Sequence, residues 1–250
     1  MRRIIAMMTV AVAAAVSVQA ADVSVTADFA SAYVFRGVTL NNGLVFQPGA
    51  EISGFPIPEE YGSVAAGIWA NYDLDDQDGM GSDFSEVDYY VSYSLPISIL
   101  DVSFGYCEYT YPNDTGDSDR ELSASIGSAL GTNGLYSSIN AYYGIDGLID
   151  EDLYLEGTLD YETALSDALS LSAGVTVGYL ITDGSDDDGF HNATASVGLG
   201  YALNENWSVS AGLTYIAQLD EAVLADMSAP GAYDGYDVDL VGTVGLACDF

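Results

Sequence analysis

Along most of the chain apolar and polar residues alternate one for one. This period-2 pattern sets successive side chains on opposite faces of a strand, unlike the i, i+3, i+4 spacing of an amphipathic helix. The last segment is the clearest: Tyr236, Val238, Leu240, Gly242, Val244, Leu246, Cys248 and Phe250 share one face, against Asp237, Asp239, Val241, Thr243, Gly245, Ala247 and Asp249 on the other. The same alternation marks eleven earlier segments, near 23–36, 44–54, 62–72, 84–95, 99–111, 120–130, 135–145, 152–163, 169–182, 190–202 and 207–218. Twelve strands are predicted.

The connections alternate as well. Short ones at 95–98, 131–134, 164–168 and 203–206 take turns with longer, Asp- and Gly-rich ones at 73–83, 112–119, 183–189 and 219–234. An even number of antiparallel strands joined this way is expected of an all-β, closed transmembrane barrel with short periplasmic turns and longer acidic extracellular loops. At the N-terminus Arg2 and Arg3 precede an apolar run from Ile4 to Val18 and the small-residue pattern Val18-Gln19-Ala20. These features predict a secretory signal peptide over 1–20, cleaved after Ala20, followed by a single barrel domain over 21–250.

Charge sharpens the picture. There are 38 Asp+Glu against 4 Lys+Arg, a formal net charge of −34. With 49% hydrophobic residues and 19 Tyr the chain is nonetheless not a disordered acidic tail. Nucleic acid is excluded as a partner, because binding its phosphates needs clustered basic residues and the chain has no Lys. When the outward face of each strand is assigned from its apolar residues alone, Glu108 is the one strand carboxylate with outward parity; Asp28, Glu51, Glu86, Asp88, Glu156, Asp160, Asp237 and Asp239 all point inward. Unpartnered carboxylates cost several kcal/mol each when buried dry, so the interior must be wet. That argues against a soluble sandwich or lipocalin-like barrel. Aromatics bracket the apolar stripes, Tyr33, Phe35, Phe46, Tyr72, Tyr179, Tyr215 and Tyr236 near the long loops and Tyr161, Tyr201, Trp207 and Phe250 near the short turns, as membrane interfaces select.

The blocks Ser31-Ala32-Tyr33-Val34-Phe35-Arg36-Gly37, Gly67-Ile68-Trp69-Ala70, Glu86-Val87-Asp88-Tyr89-Tyr90 and Tyr109-Thr110-Tyr111-Pro112 resemble the TorF family of porin-like proteins, over about residues 22–130. The resemblance implies a barrel of the Gram-negative outer membrane with no catalytic residues to carry over. The terminal Phe250 is similar to the aromatic that such barrels present to the barrel assembly machinery.

These observations point to a porin-like channel in outer-membrane lipid that passes small cationic or neutral solutes by diffusion. It needs no cofactor and prefers cations because its wall is acidic. Arg36, with inward parity, is read as an anchor that pairs lumenal carboxylates and narrows the mouth, or as an ordinary rim charge. Asp75, Asp76 and Asp78, and Asp186, Asp187 and Asp188, are weak loop candidates for divalent cations, because Leu74 and Gly184 break a calcium-loop register. Two further readings stand beside the channel. One is a non-conducting surface scaffold whose loops bind divalent ions, lipopolysaccharide or a partner. The other is a barrel hydrolase using His191, the one histidine, whose parity places it toward lipid or the rim. Cys107 and Cys248, of opposite parity on non-neighbouring strands, are expected to be free thiols.

Overall fold

The computed structural model describes residues 21–75, 83–112, 118–183, 188–228 and 235–250. The strands are β1 (Asp22–Ala30), β2 (Tyr33–Phe35), β3 (Val38–Asn41), β4 (Val45–Ser53), β5 (Ser63–Asp73), β6 (Phe84–Ser94) and β7 (Asp101–Thr110). There follow β8 (Asp119–Ala129), β9 (Leu135–Asp146), β10 (Leu153–Ala164), β11 (Leu169–Ile181), β12 (Gly189–Ala202), β13 (Trp207–Gln218) and β14 (Leu240–Asp249). All but β2 and β3 form one closed antiparallel barrel in which each strand pairs with its sequence neighbour and β1 closes against β14. The twelve predicted strands correspond to the twelve strands of this wall.

Burial is inverted relative to a water-soluble domain. On β6, Tyr89 is 50% and Val91 43% exposed, whereas Glu86 and Asp88 are 5% and 8% exposed. On β8, Leu122 and Ile126 face out while Asp119 and Glu121 are buried. An apolar exterior around a polar interior suits a wall whose outer solvent is hydrocarbon, and closure removes the unpaired backbone of sheet edges. Ring pairs in tilted or edge-to-face contact band the outer surface near the long loops, Phe29 with Phe46, Tyr72 with Phe84, and Tyr179 with Phe190. Among the described residues no helix is long and apolar enough to cross a membrane, which says nothing of crossing by the strands of a barrel.

The first predicted strand, 23–36, does not run through. β1 ends at Ala30, and Ser31 ties to β14 by donating its amide to the Gly242 carbonyl and accepting from the Gly242 amide. Beyond it β2 and β3 pair with each other as a hairpin. Arg36 and Gly37 form its two-residue turn with φ of 50° and 88°, the pair of positive φ values that lets a tight turn match the twist of its strands. Tyr33 and Phe35, which parity places in the outer aromatic band, therefore do not belong to it. They turn inward. Tyr33, Ala30, Ala32, Val45, Ile216 and Val241 make a small apolar core, joined by the partly buried Tyr236, which likewise leaves the outer band.

Candidate functional site

The hairpin tip crosses the barrel interior. In the ring order β9 lies opposite β1, and Arg36, carried on the loop that follows β1, reaches this far wall. Its guanidinium donates two hydrogen bonds to the Glu121 carboxylate of β8, at 2.7 and 2.9 Å. Its Cζ lies 4.2 Å from the Tyr142 ring of β9, 4.7 Å from Tyr154 of β10 and 4.6 Å from its neighbour Phe35. Burial works against this charge, but the hydrogen bond and charge of Glu121 outweigh it and hold the group above its ordinary pKa. A Cβ on Gly37 would stand 2.7 Å from Cβ of Asn192 on β12, so the tip rests directly on the wall. Arg36 thus pairs with a carboxylate on the inner side of the wall.

Behind Arg36 the hairpin is tied to an acid of β6. Tyr33 Oη donates to Glu86 at 2.8 Å and its ring packs 5.4 Å from Trp69. Burial, then the charges of Glu86 and Asp88, push this phenol well above its ordinary pKa and keep it a donor. Asp88 is buried beside them, and its Oδ1 has no hydrogen-bond partner among the described residues. Thr39 fixes the hairpin's return strand, accepting from the amides of Asp237 and Val238 and bridging to Gly235. A cavity of about 190 Å³ bordered by Tyr33, Trp69, Gln47, Thr214, Ile216 and Thr243 remains beside the hairpin.

The remaining predicted acids are dispersed. Asp28, buried on β1, accepts from Thr26 Oγ1 and lies over Gly245. Glu51 accepts from Tyr90 at 3.1 Å. Glu156 accepts from Asn140 at 3.0 Å and Tyr142 at 3.2 Å. Asp160 lies over Gly174 and is exposed. Asp237 and Asp239 precede β14, which starts at Leu240 rather than at Tyr236 as the alternation suggests; both are exposed in the loop, Asp237 accepting from Asn42. Glu108, the outward exception, faces Arg120, which also pairs with Asp146. Of the loop candidates for a cation, Asp75 accepts from the Leu44 amide and Asp188 from the Thr182 amide. Asp76, Asp78, Asp186 and Asp187, like the signal segment 1–20, lie outside the described residues. Among the described residues no group of three or more His, Cys, Asp and Glu is arranged to hold a metal ion. Cys107 and Cys248 are both free.

His191 corrects its parity. Val177 pairs with Ala193 and Tyr179 with Phe190, so His191 and Asn192 together oppose Gly178 in a β-bulge. The extra residue lets both side chains be buried, His191 at 5% and Asn192 at 1% exposure, instead of alternating. The imidazole Nδ1 meets Asn192 Oδ1 at 3.2 Å and the ring meets the edge of Tyr154. His191 is thus packed between Asn192 and Tyr154 inside the wall instead of facing lipid. Glu121, Tyr142, Tyr154 and Asn192 were not singled out by sequence, although alternation alone gives Glu121 inward parity.

Solved structures share this closed antiparallel barrel fold. The fold is that of an outer-membrane β-barrel. The chain is similar to the COG4313 outer-membrane channel of Pseudomonas putida F1, with a TM-score of 0.58, 11% identity, and 92% of this chain and 96% of that one covered. It is similar to the NanC porin with a TM-score of 0.53, 10% identity, and 90% and 98% coverage. The translocator domain of the autotransporter NalP from Neisseria meningitidis matches with a TM-score of 0.54, 14% identity, and 94% and 90% coverage. A channel, a porin and a translocator domain thus share this fold, so the fold alone does not assign the function. No family model and no curated protein matches the chain, so the TorF resemblance rests on its sequence blocks.

Proposed function

We propose that the chain is a TorF-type, porin-like channel of the Gram-negative outer membrane. It is exported by a cleaved signal peptide and delivered to the assembly machinery through Phe250, and it passes small hydrophilic solutes with a preference for cations. The observation that carries this reading is the charge balance of the interior: Asp28, Glu51, Glu86, Asp88, Glu121 and Glu156 line or flank it, and Arg36 is the one basic side chain described there. Screening in physiological salt acts over about 8 Å, so carboxylates on the wall of a barrel this narrow raise the cation concentration across much of its section. Twelve strands lie between small filled barrels and wide porins, so the path is set by what fills the lumen.

Planar-bilayer recording tests the proposal. Under a KCl gradient the reversal potential is expected to show cation selectivity, and Glu51→Gln with Asp160→Asn is expected to weaken it. Anion selectivity would overturn the proposal. A second reading is favoured by the hairpin itself, which spans the interior and is latched: a closed barrel serving as a surface scaffold. Silence of the wild type in bilayers, persisting when residues 33–41 are replaced by a short glycine turn, would favour that scaffold.

A further inference from the structure

The groups that hold Arg36 are held in place by the barrel, not by the hairpin. Glu121 Oε1 accepts from Tyr109 Oη at 3.1 Å. Tyr142 Oη donates to Glu156, which Asn140 also supports. Tyr154 Oη donates to Asn192 at 2.9 Å, and its ring passes over Gly178, where a Cβ would stand 2.1 Å from the hydroxyl oxygen. Every one of these supports lies on β7 to β12. The hairpin, by contrast, pairs only with itself in the sheet topology, apart from the single bridge from Thr39 to Gly235. If the hairpin withdrew, Phe35 would leave with it, but the carboxylate and two tyrosine rings would stay where they are.

We propose that Glu121, Tyr142 and Tyr154 form a receptor for a guanidinium group, filled by the chain's own Arg36 and available to guanidinium-bearing organic cations in the lumen when the hairpin withdraws. This rests on the cation-preferring reading and names its solute class. The fit is to a planar fork rather than to a point charge: two parallel N–H donors meet the two oxygens of one carboxylate while ring faces cover the delocalised plane. An ammonium carries no such fork and is more strongly hydrated, so it satisfies the carboxylate but leaves the rings poorly matched. Arg36 is a tethered competitor, present at the high effective concentration of a linked ligand. A soluble guanidinium must displace it, and doing so frees the hairpin from the far wall.

Calorimetric titration of the refolded protein in detergent with methylguanidinium tests this. Arg36→Ala is expected to bind methylguanidinium saturably and at least about tenfold more tightly than the wild type, whose site is occupied by its tethered arginine. Methylammonium is expected to bind the variant more weakly, and Arg36→Ala combined with Glu121→Gln is expected to lose the binding. Equal binding with and without Glu121, or equal binding of the two cations, would overturn the proposal. Should Arg36→Ala fail to give the folded form on a heat-modifiability gel, Arg36→Gln empties the site while keeping side-chain bulk, and the same outcomes apply. Glu121-dependent binding in a barrel silent in bilayers would leave the receptor standing and remove the channel. Cation-selective conductance without such binding would do the reverse.

Discussion

Beyond residue 20 the chain carries two arginines, Arg36 and Arg120, and they sit on opposite faces of one wall. Arg36 is inside, its side chain 17% exposed against a Glu121 side chain at 3%, with both carboxylate oxygens engaged and three rings around the cation. Arg120 is outside near the long loops, 41% exposed, shared between Glu108 and Asp146. Both pairs are Arg with carboxylate, yet their energetics differ. The outer pair is wet and screened, and its service is to neutralise Glu108 and Asp146 on the outer face. The inner pair is shielded, and removing either member strands the other charge away from bulk water.

Arg36→Ala is therefore expected to give the largest effect, destabilising the folded barrel by about 3 kcal/mol, measured by urea unfolding in lipid vesicles; a change no larger than that of Arg120→Ala would erase the distinction between the two sites. Next comes Gly37→Ala, which must adopt a positive φ and bring a Cβ to 2.7 Å from Asn192. A loss of about 1–3 kcal/mol is expected, together with reduced protection of the hairpin amides in hydrogen exchange. Arg120→Ala is expected to be smallest, with no measurable shift of the unfolding midpoint in 0.5 M NaCl and only a slight one at low salt, as screening requires.

Much of the wall was legible because strand alternation is local and the two solvents differ so sharply. Acids such as Glu86 and Asp88 fall between Val87, Tyr89 and Val91, and one parity assignment orients a whole strand. The interior was less legible. Tyr33 and Phe35 continue the alternation of β1 after the strand has ended, and the turn that redirects them is Arg36-Gly37, without the Asn or Asp that ordinarily announces such a turn. The bulge at His191 and Asn192 shifts parity by one residue near the start of β12, which no periodic count detects. Glu121 could be placed inward from Leu122 and Ile126, but its choice as partner of Arg36 depends on a hairpin crossing the barrel. That is a relation between distant parts of the fold, not a pattern along the chain.

The seam between β1 and β14 joins the two wall strands farthest apart in the chain. Neighbouring strands zip early because little chain must be gathered, and the most remote pairing comes last. The hairpin emerges directly from one lip of that seam and ends against strands in the middle of the ring. A sheet that seals last at this seam can roll up around the hairpin like a mould around a peg, sparing its tip the slower passage through a finished cylinder.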